Sequence, residues 1–382
     1  MSTNWKIPLA DLDLGEEERQ AVLRVLDSTW LTMGEATGAL EEAFAAYVGS
    51  PYAVAVSSCT AALHIAARLV GLCPGDEVIT PALTFVASVN AMVYEGARPV
   101  FVDVRNLDDW TMDPDAIRER ITPRTRAICV VHYGGYLCDM DAILDIAQRH
   151  RLAVIEDAAH APGASDRGRS AGTFGDIGCF SFFTNKNMTS AEGGMVVTAR
   201  PEWADRAHRL RSHGMTTVTW QRHAGHASTY DVLELGYNYR ITDLHAAIGL
   251  VQLRKLDRNN ARRAQLVRRY REQLEGLPAV SLPFATARGR PAHHLCPVLL
   301  ASGTDRERFM QAMRERGIQT SVHYPPIHRF QWYREHFPAP AGRLPLTELI
   351  GQRMVTLPLF PAMGEASVDF VAAAVRELAR PE

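Results

Sequence analysis

The chain lacks any uninterrupted apolar run approaching the roughly 18 residues of a membrane span, so no segment reads as transmembrane. Residues 1–13 lack the apolar core of a secretion signal, and the expectation is a cytoplasmic protein. Net charge is nearly absent: 41 Lys and Arg against 43 Asp and Glu leave −2, which gives no field to favour nucleic acid or membrane. Cysteine is sparse and scattered, at 59, 73, 129, 138, 179 and 296, without a C-x-x-C pair. That excludes a disulfide framework and points to reduced core thiols. Internal repeats and low-complexity tracts are missing too, so a solenoid is excluded.

What is present is alternation. Short apolar runs at 53–56, 77–80, 99–102, 127–131 and 152–157 each give way to a turn and then to helical spacing, at 61–70, 84–94, 114–120 and 140–150. This order predicts an α/β fold, a mostly parallel sheet between helices. Residues 30–38 read as a polar loop, 242–274 as helix with a break near Asp257, and 214–236 as a long irregular stretch suited to covering a site. A smaller α+β unit follows, with strands near 295–300 and 319–323 and helices at 305–316 and 368–379. A single core stops growing at roughly 250–300 residues, so 382 residues predict two domains, 1–250 and 251–382.

The stretch on which chemistry concentrates is G-C-F-S-F-F-T-N-K-N-M-T-S-A-E-G-G-M-V-V-T, 178–198. An apolar run delivers Lys186 into a polar turn, and Glu192-Gly193-Gly194 leads into a β-branched strand. Upstream, L-A-V-I-E-D ends a buried strand on two acids, Glu156 and Asp157, at the carboxyl edge where open α/β sheets collect ligands. A buried carboxylate needs a cation or donors. A lysine and a strand-end aspartate in one sheet suit pyridoxal phosphate (PLP): the lysine forms a Schiff base and the aspartate keeps the pyridine nitrogen protonated. No metal is expected; Cys129, His132 and Cys138, or His223 and His226, fit no closed zinc spacing. The arginine-rich run 254–271 reads as a solvated helix face rather than a nucleic-acid surface.

Other candidates carry two readings each. Ser58, Cys59 and Thr60 sit in a strand-to-helix turn that is either a plain helix cap or a phosphate cup, and Ser181 is a further possible donor. Phe85 is either core or a face for a cofactor ring. His160, three residues after Asp157, is either structural or a partner for the ring's phenolic oxygen.

Five ordered blocks bring a family into view: A-V-S-S-C-T-A-A-L, D-E-V-I-T-P-A-L-T-F-V-A-S-V-N-A, V-I-E-D-A-A-H-A-P-G-A, S-F-F-T-N-K-N-M-T-S-A-E-G-G-M-V-V-T and L-G-Y-N-Y-R-I-T-D-L-H-A-A-I-G. Together they resemble the DegT/DnrJ/EryC1/StrS family of PLP-dependent sugar aminotransferases, a branch of fold type I. The resemblance implies that Lys186 carries the cofactor, Asp157 pairs with the ring nitrogen, His160 contacts the ring oxygen and Phe85 stacks. It implies that Ser58, Cys59, Thr60 and Ser181 hold the phosphate, joined by Asn238 from the neighbouring subunit of a homodimer with shared active sites. Trp30, Thr32, His323, Tyr324 and His328 are implied on the substrate side. The implied reaction moves an amino group from L-glutamate to a ketosugar, as a nucleotide diphosphate; the rival acceptor is a ketocyclitol of the scyllo-inosose type. Two departures stand out: S-C-T replaces the usual S-G-T, and Met33-Gly34-Glu35 replaces the usual G-P pair.

Overall fold

The computed structural model describes residues 5–216, 229–338 and 343–379. Its strands are β1 (Tyr52–Val56), β2 (Glu77–Pro81), β3 (Arg98–Val102), β4 (Thr125–Val131), β5 (Ala153–Asp157), a short hairpin of β6 (Ser165–Asp166) and β7 (Arg169–Ser170), then β8 (Ile177–Ser181) and β9 (Gly194–Thr198). A separate trio follows, β10 (Val280–Ser281), β11 (Cys296–Leu300) and β12 (Met354–Leu357). Seven strands make the central sheet in the order β1-β9-β8-β5-β4-β2-β3. Only β9 runs against its neighbours. Residues 182–193, which join β8 to β9, contain no crossover helix, and a chain that returns without one must return antiparallel.

The strands read as apolar runs because both sheet faces are covered. Successive side chains point to opposite faces: Ala53 and Ala55 pack with Phe44, Ile143 and Phe180, whereas Val54 and Val56 pack with Leu63, Ile65 and Leu210. The three-stranded sheet has its own core, in which Val298 and Leu300 meet Phe309, Met313, Val368 and Val375. No helix among the described residues is long and apolar enough to cross a membrane.

Helix Asp243–Leu274 runs unbroken, which corrects the expected break near Asp257. Leu253 and Leu256 belong to the core under the central sheet, and Leu266, Val267, Tyr270 and Leu274 to the core of the smaller one. Between them the buried residues are Asn259, Asn260 and Arg263, and this polar crossover is what mimics a break in the sequence. The expected loop 30–38 also ends early, because helix Glu35–Val48 begins at once after Gly34. The carboxylate of Asp243 supplies its cap, accepting from the amides of Gly34 (2.8 Å), Ala36 (3.2 Å) and Thr37 (3.0 Å) and from the Thr37 hydroxyl (2.6 Å). A Cβ at Gly34 would lie 2.8 Å from that carboxylate, so close approach sets the glycine of Met33-Gly34-Glu35. The expected strand at 319–323 shrinks to a single bridge, Ser321 to Thr356, on the free edge of β12.

Replacing Asp243 with Ala would strand the buried first-turn donors of that helix, at a cost of about 2 kcal/mol. The expected result is a lower urea midpoint with unchanged slope, while Glu35→Gln, at an exposed position, stays within about 0.5 kcal/mol of the native chain.

Candidate active site

The carboxyl ends of β1, β2, β4, β5 and β8 open on one cavity of about 370 Å³, and the first residues before β9 close its side. Ser58, Cys59, Thr60, Phe85, Asp157, His160, Ser181, Lys186, His323 and Tyr324 all line it. Parallel strands place equivalent ends on one edge, which is why residues as far apart in sequence as Ser58 and Asp157 share a wall.

At the head of helix Cys59–Leu69, the Ser58 hydroxyl accepts from the Ala61 amide at 3.1 Å. The plain cap reading therefore holds for Ser58, and the amides of Cys59 and Thr60 are first-turn donors with no intrahelical partner. Cys59 is the first helical residue and lies outside the left-handed region, so the Gly-to-Cys departure in S-C-T brings no backbone strain. Its thiol is buried and pushed well above its ordinary pKa by that burial and by Asp157, which leaves it neutral. The approach of a neighbouring strand is what demands glycine here: a Cβ on Gly194 would lie 2.6 Å from the Cys59 nitrogen.

Asp157 is 5% exposed and forms no ion pair among the described residues. Its Oδ2 accepts from the Ser88 hydroxyl at 2.6 Å and its Oδ1 from the Ala159 amide at 3.1 Å. Burial raises its pKa, and those two bonds and Lys186 oppose the rise. Ser88 was not anticipated from sequence, although it lies four residues after Thr84 and bonds to it at 2.9 Å. Glu156 points the other way. It is fully buried, accepting from the Gly172 amide at 2.8 Å, from the Gly175 amide, and pairing with His132 at 2.8 Å. Of the two consecutive acids, one holds the 172–175 turn and one faces the cavity.

Lys186 Nζ lies 3.5 Å from His294 Nε2, a contact no sequence signal announced across the intervening residues. Burial lowers the lysine pKa to about 8, against the pull of Asp157 and Cys59. His160 is held by the Gly134 amide, which donates to Nδ1 at 3.2 Å. The proton of the neutral ring therefore sits on Nε2, which donates to the Tyr324 hydroxyl at 3.0 Å. Burial and the nearby Lys186 keep His160 well below its ordinary pKa, hence neutral. Phe85 is 53% exposed although large and apolar, and its ring stands 5.6 Å from that of Tyr324 across the cavity mouth. The core reading of Phe85 fails.

Four candidates lie elsewhere in the chain. Asn238 is exposed and bridges Ser212. Trp30 donates to the Met33 carbonyl at 3.1 Å beside a separate groove, and Thr32 is exposed. His328 is buried against Glu348, 3.2 Å away, and next to Phe101. Most of the expected 214–236 cover, residues 217–228, and with it His223 and His226, lies outside the described residues.

These residues fit PLP. A buried carboxylate with no ion pair among the described residues suits the pyridine nitrogen, a helix start with amides lacking intrahelical partners suits the phosphate, and an exposed aromatic face suits the ring. Fold and site together define a fold-type I PLP-dependent aminotransferase. The profile of the DegT/DnrJ/EryC1/StrS aminotransferase family matches residues 12–376, and the chain belongs to that family. It is 40% identical over 381 residues to the spore coat polysaccharide biosynthesis protein SpsC of Bacillus subtilis (strain 168), covering 98% of this chain and 97% of that one. Among solved structures, the putative sugar aminotransferase Spr1654 from Streptococcus pneumoniae, known in PLP and PMP forms, matches with a TM-score of 0.91 at 29% identity. In its PLP form the match covers 98% of both chains. DesI, solved in the presence of its TDP-sugar product, matches with a TM-score of 0.88 at 31% identity over 99% of this chain and 94% of that one.

In the cofactor-free protein Lys186 is expected to react with acetic anhydride with a pH midpoint near about 8, because the neutral amine is the nucleophile. Asp157→Asn removes the charge that favours the ammonium form, so the midpoint falls further; quantitative mass spectrometry of the Lys186 peptide reads both.

Proposed function

We propose that this sugar aminotransferase moves the amino group of L-glutamate to a ketosugar carried on a nucleoside diphosphate, yielding the aminosugar. The observation that carries the reading is the meeting, in one cavity, of the Lys186 amine and the buried Asp157 carboxylate, which forms no ion pair among the described residues. The TDP-sugar product of DesI supports a nucleotide-linked acceptor. L-Glutamate is the donor that the family implies.

Bound PLP would supply an electron sink conjugated to the carbon that exchanges its amine. The protein's part is positioning and proton transfer. Asp157 would face the pyridine nitrogen, kept an acceptor there by Ser88 and the Ala159 amide. Phe85 would cover one ring face and exclude water from it. The amides of Cys59 and Thr60, with the hydroxyls of Thr60 and Ser181, would hold the phosphate at the helix start. His160 has its Nε2–H free for the phenolic oxygen once Tyr324 is displaced. Lys186 Nζ takes the proton from Cα of the donor and returns one to the sugar carbon that receives the amine, work suited to a pKa near the operating pH. His323 and Tyr324, on the cavity's outer wall, would meet the sugar.

The working unit in this reading is a homodimer. Asn238 is exposed and outside its own chain's cavity, and Val232, Leu233 and Leu235 beside it are 52%, 62% and 79% exposed. A second copy would cover these side chains and receive Asn238 near its phosphate.

With purified chain, Lys186→Ala is expected to cut the conversion of L-glutamate to 2-oxoglutarate by about 10²–10⁴-fold, and native turnover in that variant would remove the assignment. Supplying a nucleotide-linked ketosugar in one reaction and scyllo-inosose in another separates the two acceptors: amination of the cyclitol alone defeats the nucleotide reading. Mixing Lys186→Ala with Asn238→Asp chains should restore activity if sites are shared, since one intact site forms per hybrid; sites contained in one chain would show no recovery.

A further inference from the structure

Behind Lys186 lies a chain of buried amides and one imidazole whose hydrogen-bond directions are all forced. It begins at the Pro162 carbonyl, which only accepts, so the group facing it at 2.9 Å is the Asn260 Nδ2 donor. Asn260 Oδ1 is then an acceptor, and Asn187 Nδ2 donates to it at 2.7 Å. The same Nδ2 donates to the Ala292 carbonyl at 2.7 Å, which fixes the Asn187 amide a second time. Asn187 Oδ1 is left facing His294 Nδ1 at 2.9 Å, so Nδ1 must carry the proton. The lone pair of His294 is therefore on Nε2, the atom that meets Lys186 Nζ at 3.5 Å. Two backbone carbonyls thus dictate the tautomer of a histidine two amides away.

Space for this chain is reserved. Asn187, Asn260 and His294 are each buried, and a Cβ on Gly163 would lie 2.6 Å from Asn260 Nδ2. Burial and the adjacent Lys186 hold His294 well below its ordinary pKa, so the ring stays neutral and its lone pair persists. The other titratable groups that line the cavity with Lys186 are Asp157, Cys59, His160, Glu192, His323 and Tyr324, and Arg263 also acts on His294.

We infer that His294 is a positioning residue, locked by Asn187 and Asn260 as an acceptor aimed at Lys186 Nζ, which orients the amine and favours its ammonium form. The inference rests on reading Lys186 as the cofactor-bearing, proton-moving residue. It gives Asn260, on the long helix, a part in the reaction centre that neither its place nor its type announces.

The sign separates this arrangement from its alternatives. An acceptor favours the charged lysine, so removing it lowers the lysine pKa; a cationic or donating histidine would do the reverse. The test uses the full-length cofactor-free chain and the pH midpoint of acetic anhydride labelling at Lys186, a readout independent of turnover. His294→Leu is expected to lower the midpoint by about 0.5–1 pH unit. His294→Gln, whose side-chain oxygen can accept where Nε2 does, is expected to return it towards the native value. Asn260→Ala, which leaves His294 in place and removes one of the two acceptors that hold the Asn187 amide, is expected to shift it in the same direction as His294→Leu by a smaller amount. Thermal melting confirms that each variant is folded. A rise or no change with His294→Leu, or no recovery with His294→Gln, overturns the inference, and an unshifted Asn260→Ala overturns the role of the relay. Because labelling does not require transamination, failure here leaves the functional reading intact, and an enzyme inactive on all ketosugars would leave the relay intact.

Discussion

A carboxylate buried at the end of a strand, with no ion pair among the described residues, is the interaction on which the site turns. Asp157 has two donors, Ser88 and the Ala159 amide, enough to hold its orientation but not to neutralise its charge. Desolvation alone would drive the group to its protonated form, and burial does push it that way. A cationic ring placed against it relieves both costs. In the proposed function that deficit favours a protonated pyridine, and the charge of Lys186 offsets only part of it.

The remainder of the fold exists, in functional terms, to bring that carboxylate and one amine to the same edge. Parallel pairing aligns the ends of β4, β5 and β8, and the antiparallel return of β9 makes the lysine-bearing turn short enough to stay over the sheet. Glycines at close approaches, such as Gly194 against the Ser58–Cys59 peptide, let the turn sit on the helix start. Phe180 and Phe182 clamp the strand before the lysine edge-on against Phe44, with ring centroids 4.9 and 5.3 Å apart. Rigid packing just ahead of Lys186 limits where its amine can go.

Much of this was legible from residues in order. Strand, turn and helix alternation revealed the α/β class, and the two acids after an apolar run marked the carboxyl edge. Where the reading missed, the deciding atom lay far away in the chain. The start of helix Glu35–Val48 depends on Asp243, and the supposed break near Asp257 is a polar crossover inside one continuous helix. Of the two neighbouring acids the sequence singled out Asp157, and what it left unread is that Glu156, on the other side of the strand, holds the 172–175 turn. His328, in a run with His323 and Tyr324, went to Glu348 instead, because a short turn at 327–329 points it into packing.

Local order in the chain, then, determined the class of fold, the lysine, the aspartate and the cofactor they suit, because each rests on residue type and short spacing that the backbone must respect. Tertiary structure alone decided what Glu156 holds, which hydroxyl steadies the aspartate and which histidine addresses the lysine. Those choices depend on hydrogen-bond directions set by carbonyls such as those of Pro162 and Ala292, and a direction in space is not written in any neighbouring residue.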